Sequence, residues 1–202
     1  MKIACLDLEG ILIPEIWIAF AEYTSIDSLR LTTRDVPDYD ELMQRRLGIL
    51  KENNLVLRDI QNVISRMQPL EGAGQFLDWL RERFQVVLIT DSFYEFVMPF
   101  MRQMGYPIVL CHNLQVDDDG FVTGYVLRKR DWKRQVVKAF HDLNYRVISC
   151  GDSYNDVTML KESDAGILFR PPGNVAAEFP QYIITQDYHE LREAFLDASN
   201  SV

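Results

Sequence analysis

Near its N-terminus the chain reads Ile3-Ala4-Cys5-Leu6-Asp7-Leu8-Glu9-Gly10, an apolar run that ends in acidic residues and a glycine. A second stretch has the same construction, because the run Val147-Ile148-Ser149-Cys150 leads into Gly151-Asp152-Ser153-Tyr154-Asn155-Asp156. Apolar runs without polar alternation suit strands that are buried on both faces of a parallel sheet. Ligands bind outside the carboxyl ends of such strands, so the acidic residues of both stretches are expected to meet there.

The remainder of the chain alternates short apolar runs with helical patterns. Further strand candidates are Val86 to Ile89, Ile108 to Cys111 and Ile167 to Phe169. This alternation predicts an α/β fold with a doubly wound, Rossmann-like parallel sheet as its core. The turn signal Asp117-Asp118-Asp119-Gly120 between short apolar pairs predicts a β-hairpin insertion.

One segment interrupts this rhythm, since no convincing strand falls between Pro14 and Pro69. Its apolar residues follow helical spacing, and Arg46 lies on or beside the apolar stripe of one helix. We expect residues 14–69 to form a small helical cap inserted after the first strand, with residues 1–13 and 70–202 as the catalytic core. An insertion at this point lies above the carboxyl ends of the strands, where its closure excludes water.

Composition and charge limit the classes of protein to which the chain can belong. The 202 residues carry a net charge of −9, which disfavours nucleic acid as a partner, because nucleic-acid surfaces usually show a basic patch. No apolar run approaches the ~20 residues of a membrane span, and no leader-like segment precedes Asp7. Three cysteines indicate no disulfide framework, so the cytoplasm is the expected location. The histidines show no ligand spacing and are expected at the surface or in the hairpin: His112, His141 and His189.

Together with Lys133, the acidic residues indicate a specific chemistry, the transfer of a phosphoryl group. A carboxylate such as Asp7 can attack phosphorus and form an acyl-phosphate, which splits one difficult displacement into two easier ones. The charge of the phosphate must then be neutralised, by Mg²⁺ bound to a second carboxylate such as Asp152 and by the ammonium of Lys133. The Thr90 hydroxyl is a further candidate donor to phosphate. Glu9 points to the same side as Asp7 if the chain is extended, and can act as general acid and base.

Each residue alone has a structural alternative. An aspartate at a strand end, such as Asp7, is often a turn or helix cap. The segment from Asp152 to Asp156 could cap the helix that follows it, and Lys133 could be a solvated surface lysine. The joint order of these residues, each in its expected context, favours the phosphoryl-transfer site.

The combined pattern resembles the haloacid dehalogenase superfamily of phosphatases and phosphotransferases. Its four motifs correspond to Asp7-x-Glu9, Thr90, Lys133 and Gly151-Asp152-Ser153-x-x-Asp156. Within the superfamily the chain is similar to phosphoserine phosphatases, above all to the bacterial group that combines phosphoserine phosphatase with homoserine phosphotransferase activity. Further stretches carry that closer similarity: Pro14-Glu15-Ile16-Trp17, Pro69-Leu70-Glu71-Gly72 and Asp78-Trp79-Leu80-Arg81-Glu82-Arg83-Phe84.

The resemblance implies a role for each motif residue. Asp7 is implied to be the nucleophile and a Mg²⁺ ligand, and Glu9 the acid-base that also gives its backbone carbonyl to the metal. Asp152 is implied as a metal ligand that Asp156 supports. The implied substrates are phosphoserine and homoserine, and a homodimer is possible. The implied substrate contacts are Thr90 and Lys133 for phosphate, Asn155 near the substrate, Glu15 for the ammonium and Arg46 for the carboxylate.

The two cap residues fit the chemistry of an amino-acid substrate, because a guanidinium fork suits a carboxylate and a carboxylate suits an ammonium. Arg46 could instead form a helix salt bridge with Glu41 or Glu52. Glu15 could instead occupy a first helical turn, where the helix dipole favours an acidic residue.

The chain departs from the family pattern at two positions. Glu9 stands where most members have Asp, and Asp91 follows Thr90 where phosphoserine phosphatases commonly have Gly. Asp91 either touches the substrate or acceptor, or caps the helix from Phe93. Two other functions remain open: a phosphatase of another small phosphomonoester, and a phosphoacceptor regulatory domain without turnover. Glu9 and the helical insertion argue against the regulatory domain.

Overall fold

A seven-stranded sheet forms the centre of the computed structural model, which describes residues 1–32, 35–36 and 38–201. The strand order is β4-β3-β2-β1-β5-β6-β7, and all neighbours pair in parallel except the antiparallel β3 and β4. The predicted α/β fold with a β-hairpin is therefore confirmed. The strands are β1 (Lys2–Leu6), β2 (Gln85–Phe93), β3 (Ile108–Val116), β4 (Val122–Val126), β5 (Arg146–Gly151), β6 (Ala165–Phe169) and β7 (Ile183–Thr185).

Helices cover both faces of the sheet. Alternate residues of β1 belong to different hydrophobic clusters, since Ala4 and Leu6 pack in one and Ile3 and Cys5 in the other. This explains why the strands read as continuous apolar runs. The helices in the described part of the chain are α1 (Ile16–Thr24), α2 (Tyr39–Glu52), α3 (Leu57–Ile64), α4 (Ala73–Arg81), α5 (Tyr94–Met101), α6 (Trp132–Asp142), α7 (Val157–Glu162), α8 (Gly173–Glu178) and α9 (Tyr188–Ser201). Among them, none combines the length and the apolar character that crossing a membrane requires.

The order of the strands places a crevice between β1 and β5. The chain builds β2 and β3 on one side of β1 and then crosses to form β5 on the other side. Such a reversal opens a binding crevice at the carboxyl ends of the strands. The backbone N–H of Asp7 donates to the Cys150 carbonyl over 2.9 Å, which fixes the end of β1 against the end of β5.

Two strands differ from the sequence-based expectation. Strand β2 continues past Ile89 to Phe93, because its pairing with β3 shifts register and resumes where Phe93 lies opposite His112. Thr90 therefore lies at an irregularity within the strand rather than at its end. Strand β7 has three residues and half-exposed isoleucines at its start, so nothing in the sequence pattern indicates it.

The segment between β1 and α4 is helical, and it rests on the β3–β4 hairpin. The backbone N–H of Leu57 at the start of α3 donates to the Gly120 carbonyl at the hairpin turn over 2.9 Å. The hydroxyl of Tyr125 donates to Asp40 of α2 over 2.5 Å, and the ring of Tyr39 packs edge-on against that of Tyr125. These contacts hold the helices against the hairpin. The division into a 14–69 cap and a 1–13 and 70–202 core stays a prediction, and residues 33, 34, 37 and 202 lie outside the described residues.

Candidate active site

Lys133 lies among three carboxylates at the carboxyl edge of the sheet. Its Nζ is 2.8 Å from Asp156 Oδ1, 3.1 Å from Asp7 Oδ1 and 3.2 Å from Asp91 Oδ2. The lysine side chain is 2% exposed, which rules out the solvated surface lysine that its sequence context alone would allow. The start of α6 thus carries a fixed positive charge into the crevice between β1 and β5.

Burial and charge act against each other in this cluster. Burial alone would lower the pKa of Lys133, but Asp156, Asp7 and Asp91 raise it well above its usual value. Burial and the neighbouring charge of Asp156 raise the pKa of Asp7 well above its usual range, against the opposing effect of Lys133. Ionised Asp7 is therefore costly here, and a cation placed between the carboxylates would stabilise it.

The carboxylates of Asp7, Asp152 and Asp156 offer a site for a cation. One oxygen atom from each lies within 4.8 Å of the others, and all three donors are oxygen, the ligand type that Mg²⁺ prefers. Asp156 is fully buried, and its Oδ2 accepts the backbone N–H groups of Asp152 and Ser153 over 3.1 Å and 3.2 Å. The loop after β5 is thereby folded around Asp156, with its other oxygen directed at Lys133.

Two glycines allow this close approach. Gly10 has φ +77°, and a Cβ there would lie 2.8 Å from Asp152 Cγ. A Cβ on Gly151 would overlap the Asp156 side chain. Any larger residue at either position therefore displaces a carboxylate of the cluster.

Substitution of Gly10 by alanine is expected to destabilise the protein and impair the phosphoryl transfer that the sequence predicts. The left-handed backbone costs about 1–2 kcal/mol for a residue with a Cβ, and the methyl group would displace Asp152. Urea unfolding and Mg²⁺-dependent turnover measure the two effects. Gly74→Ala is the matched control, because Gly74 lies in α4 with nothing within 4 Å of its Cβ position. Unchanged activity in Gly10→Ala would contradict the role given to this contact.

Glu9 is held at the start of helix α1. Its Oε2 accepts the backbone N–H of Ile16 at the start of α1 over 2.9 Å. Its side chain also hydrogen bonds to those of Ser92 and Glu15. Burial raises the pKa of Glu9 above its usual value, against the lowering effect of the Ile16 N–H and the two side chains. Burial thus makes Glu9 hold its proton more tightly than an exposed glutamate would.

Arg46 of α2 is buried against Trp17 of α1 and has a spare donor. Its guanidinium lies 4.5 Å from the centroid of the Trp17 ring and donates to the Leu31 carbonyl over 2.8 Å. Its Nε has no hydrogen-bond partner among the described residues, and burial lowers the pKa of Arg46 to about 10. The ion pair with Glu41 is made by Arg45 instead, so the helix salt bridge with Glu41 is not the role of Arg46.

Asp91 does not cap the helix that follows it. Helix α5 begins after Phe93 without a side-chain cap. The oxygens of Asp91 accept from Trp132 Nε1 over 2.7 Å and from Asn155 Nδ2 over 2.6 Å. Burial would raise the pKa of Asp91, but Lys133 and the surrounding donors hold it well below its usual range. Asp91 is therefore an ionised carboxylate within the cluster.

The structure buries Thr90 and divides the other predicted site residues between two groups. Thr90 is 2% exposed and its hydroxyl accepts the Ser92 N–H over 3.2 Å, beside Asp91. The lysine cluster contains Asp7, Asp91, Lys133, Asp152, Asn155 and Asp156, whereas Glu9, Glu15 and Arg46 form a second group near the start of α1.

Sequence patterns did not indicate several residues of the site. Ser92 reaches Glu9, and Trp132 reaches Asp91. His112 lies on the hairpin strand β3, one of the two places expected for it, but it is 3% exposed and contacts Asp91, which the sequence did not indicate. The only sign of them in the sequence is their position, because Ser92 lies two residues after Thr90 and Trp132 directly precedes Lys133.

Comparisons with known proteins identify the family of the chain. A family model described as haloacid dehalogenase-like hydrolase matches residues 16–161. The chain is 62% identical over 200 residues to the phosphoserine phosphatase ThrH of Pseudomonas aeruginosa, covering 99% of this chain and 98% of the relative. It is 61% identical to a phosphoserine phosphatase of Pseudomonas syringae pv. tomato, covering 99% of this chain and 84% of the relative.

A solved structure of a substrate-bound phosphoserine phosphatase complex has the same fold. Its TM-score is 0.79 with 18% sequence identity, and the alignment covers 96% of each chain. The family model spans well over half of the chain, and the two relatives cover nearly all of it. The chain belongs to the haloacid dehalogenase-like hydrolase family.

Proposed function

We propose that this chain is a phosphoserine phosphatase that works through a phospho-Asp7 intermediate and also transfers the phosphoryl group from phosphoserine to homoserine. The observation that carries this proposal is the buried Lys133 beside Asp7, with the spare donor of Arg46 under the adjacent helices. The first pair suits a phosphoryl group, and the arginine suits the carboxylate of an amino acid. The names and the identities of the two Pseudomonas relatives support the same substrate.

In the first half-reaction, a carboxylate oxygen of Asp7 attacks phosphorus while the bond to the serine oxygen breaks. The departing oxygen takes a proton from Glu9, whose pKa is raised above its usual value by burial. Lys133 and the Thr90 hydroxyl bind the phosphoryl oxygens, and the lysine offsets the negative charge of the phosphoryl group. Serine leaves, and Asp7 carries the phosphoryl group as an acyl-phosphate.

In the second half-reaction, Glu9 removes a proton from the attacking hydroxyl. Water as acceptor yields phosphate, and the side-chain hydroxyl of homoserine yields phosphohomoserine. Asp7 is regenerated in both cases. The partition between the acceptors depends on how well the helices over the crevice exclude water.

The groups that would bind a metal ion are the carboxylates of Asp7 and Asp152 and the backbone carbonyl of Glu9, with Asp156 as support. The all-oxygen donor set fits Mg²⁺. When bound, Mg²⁺ supplies positive charge that neutralises the phosphoryl group and keeps Asp7 ionised. Asp156 orients the loop through its bonds to the N–H groups of Asp152 and Ser153.

Recognition of the amino acid is assigned to Arg46, Glu15 and Asn155. Arg46 binds the carboxylate and Glu15 the ammonium, while Asn155 lies on the exposed side of the cluster. The stacking of Arg46 on Trp17 fixes the plane of the guanidinium before substrate arrives. Residues 14–69 act in this proposal as the cap that carries Arg46 and Glu15.

The proposal extends to the setting of the enzyme. We place it in the cytoplasm, since Cys5, Cys111 and Cys150 are all free. A homodimer is proposed on the resemblance alone.

A phosphatase of another small phosphomonoester is the second candidate, because the lysine cluster would serve any phosphoryl group. Arg46 separates the two, since a buried arginine with a spare donor has no use for a substrate without a carboxylate. A phosphoacceptor domain without turnover has no need of the acid-base Glu9.

The test is phosphate release from L-phosphoserine with Mg²⁺, with and without L-homoserine, followed by ³¹P NMR. We expect phosphate alone without homoserine, and phosphohomoserine at the expense of phosphate when homoserine is present. Phosphate release that homoserine leaves unchanged would limit the enzyme to hydrolysis. Absence of both products would overturn the proposed substrate.

A further inference from the structure

The carboxylate of Asp91 joins two sets of donors on its two oxygens. Oδ1 accepts from Trp132 Nε1 over 2.7 Å and faces His112 Nε2 over 3.4 Å. Oδ2 accepts from Asn155 Nδ2 over 2.6 Å and lies 3.2 Å from Lys133 Nζ. One oxygen thus faces two aromatic side chains, and the other faces two residues of the phosphoryl and substrate site.

The Asp91 carboxylate thus forms a bridge between two pairs of side chains. On the side of His112 and Trp132, this bridge is held by fixed contacts. The Nδ1 of His112 accepts the backbone N–H of Arg128 over 3.2 Å, which places the hydrogen of a neutral ring on Nε2, toward Asp91. The ring centroids of His112 and Trp132 are 5.0 Å apart, and both residues are less than 10% exposed. Buried rings with fixed hydrogen bonds hold the carboxylate in one orientation.

On the other side of the bridge, Lys133 and Asn155 need a partner that holds them in position. Lysine has a flexible four-carbon stem, and Asn155 is an exposed residue in the loop after β5. Asp91 is bonded to Asn155 and to Trp132, the residue before Lys133, while Thr90 precedes Asp91 in the chain. Three segments that carry the site are therefore tied together by one side chain.

We propose that Asp91 is a positioning residue that fixes Lys133 and Asn155, with Trp132 and His112 as the groups that orient it. This inference rests on the proposed function, because it gives Lys133 the phosphoryl group as its ligand. Asp91 acts through these neighbours and does not contact the amino-acid part of the substrate. Its role differs in this respect from those of Arg46 and Glu15.

Two variants test the bridge. In Asp91→Asn the amide group keeps the shape but turns one acceptor into a donor, which must face N–H groups on one of the two sides. Trp132→Phe removes the Nε1 donor and keeps a ring. For Asp91→Asn we expect kcat to fall about tenfold or more, since small misplacements of catalytic groups carry losses of this size, with KM changed less than about threefold.

Turnover of both L-phosphoserine and p-nitrophenyl phosphate should fall, because Lys133 serves the phosphoryl group that both share. The double variant should lose no more kcat than Asp91→Asn alone, since both changes break one chain of contacts. Non-additive losses on both substrates with unchanged melting temperature are not what a purely structural role produces. Trp79→Phe is the matched control, because Trp79 lies on α4 and stacks with Phe76.

Three results would overturn the proposal: full kcat in both variants, additive losses in the double variant, or a loss confined to L-phosphoserine. The last would limit the effect of Asp91 to the amino-acid part of the substrate and leave it no role in placing Lys133. A wild-type enzyme that hydrolyses p-nitrophenyl phosphate but not L-phosphoserine would sink the proposed substrate, yet the variants would still test the bridge on p-nitrophenyl phosphate.

Discussion

Replacement of Asp7 by asparagine is expected to abolish phosphate release from L-phosphoserine while the protein stays folded. An amide cannot form the acyl-phosphate, and loss of a nucleophile lowers kcat by roughly 10³-fold or more in comparable enzymes. The fold should tolerate the change, because burial and the charge of Asp156 make ionised Asp7 costly in the metal-free protein. We therefore expect the melting temperature of Asp7→Asn in EDTA to equal or exceed that of the wild type.

The two measurements are needed together. Turnover is followed with Mg²⁺, and melting is followed by circular dichroism with EDTA. Asp78→Asn is the control, because Asp78 lies on α4 with a side chain that is 77% exposed and should retain full activity. Turnover of Asp7→Asn at more than a few per cent of the wild-type rate would exclude Asp7 as the nucleophile. A much lower melting temperature would show that the carboxylate stabilises the fold.

Replacement of Arg46 by alanine is expected to change substrate selectivity more than chemistry. A charge-assisted hydrogen bond contributes about 1.5–3 kcal/mol, so kcat/KM for L-phosphoserine should fall roughly 10- to 100-fold. Hydrolysis of p-nitrophenyl phosphate should fall less than about threefold, because that substrate has no carboxylate for the guanidinium. The ratio of the two kcat/KM values is the quantity to report.

The neighbouring arginine is a matched control for this experiment. Arg45 lies on the same helix, is exposed and pairs with Glu41, so Arg45→Ala should leave both substrates unaffected. Arg46→Lys keeps the charge but loses the planar fork, and we expect it to recover only part of the selectivity. Equal losses for both substrates in Arg46→Ala would remove Arg46 from the recognition of the amino acid and favour another phosphomonoester as substrate.

Much of the fold could be predicted from the sequence, because strands buried on both faces appear as continuous apolar runs. Ile3 to Leu6 and Val147 to Cys150 are such runs, and their ends place Asp7 and Asp152 at one edge of a parallel sheet. The three-residue β7 left no signal, since a short edge strand with exposed isoleucines resembles a loop.

The sequence by itself therefore determined the α/β class, the order of the motifs and the identity of the residues that can carry phosphoryl transfer. Which side chains meet was decided only by the tertiary structure. Asp91 had two equal interpretations until the packing of α6 and β3 placed Trp132 and His112 against it. The physical reason is that spacing along the chain encodes the faces of helices and strands, whereas the partners of a buried polar group are set by elements that are distant in sequence.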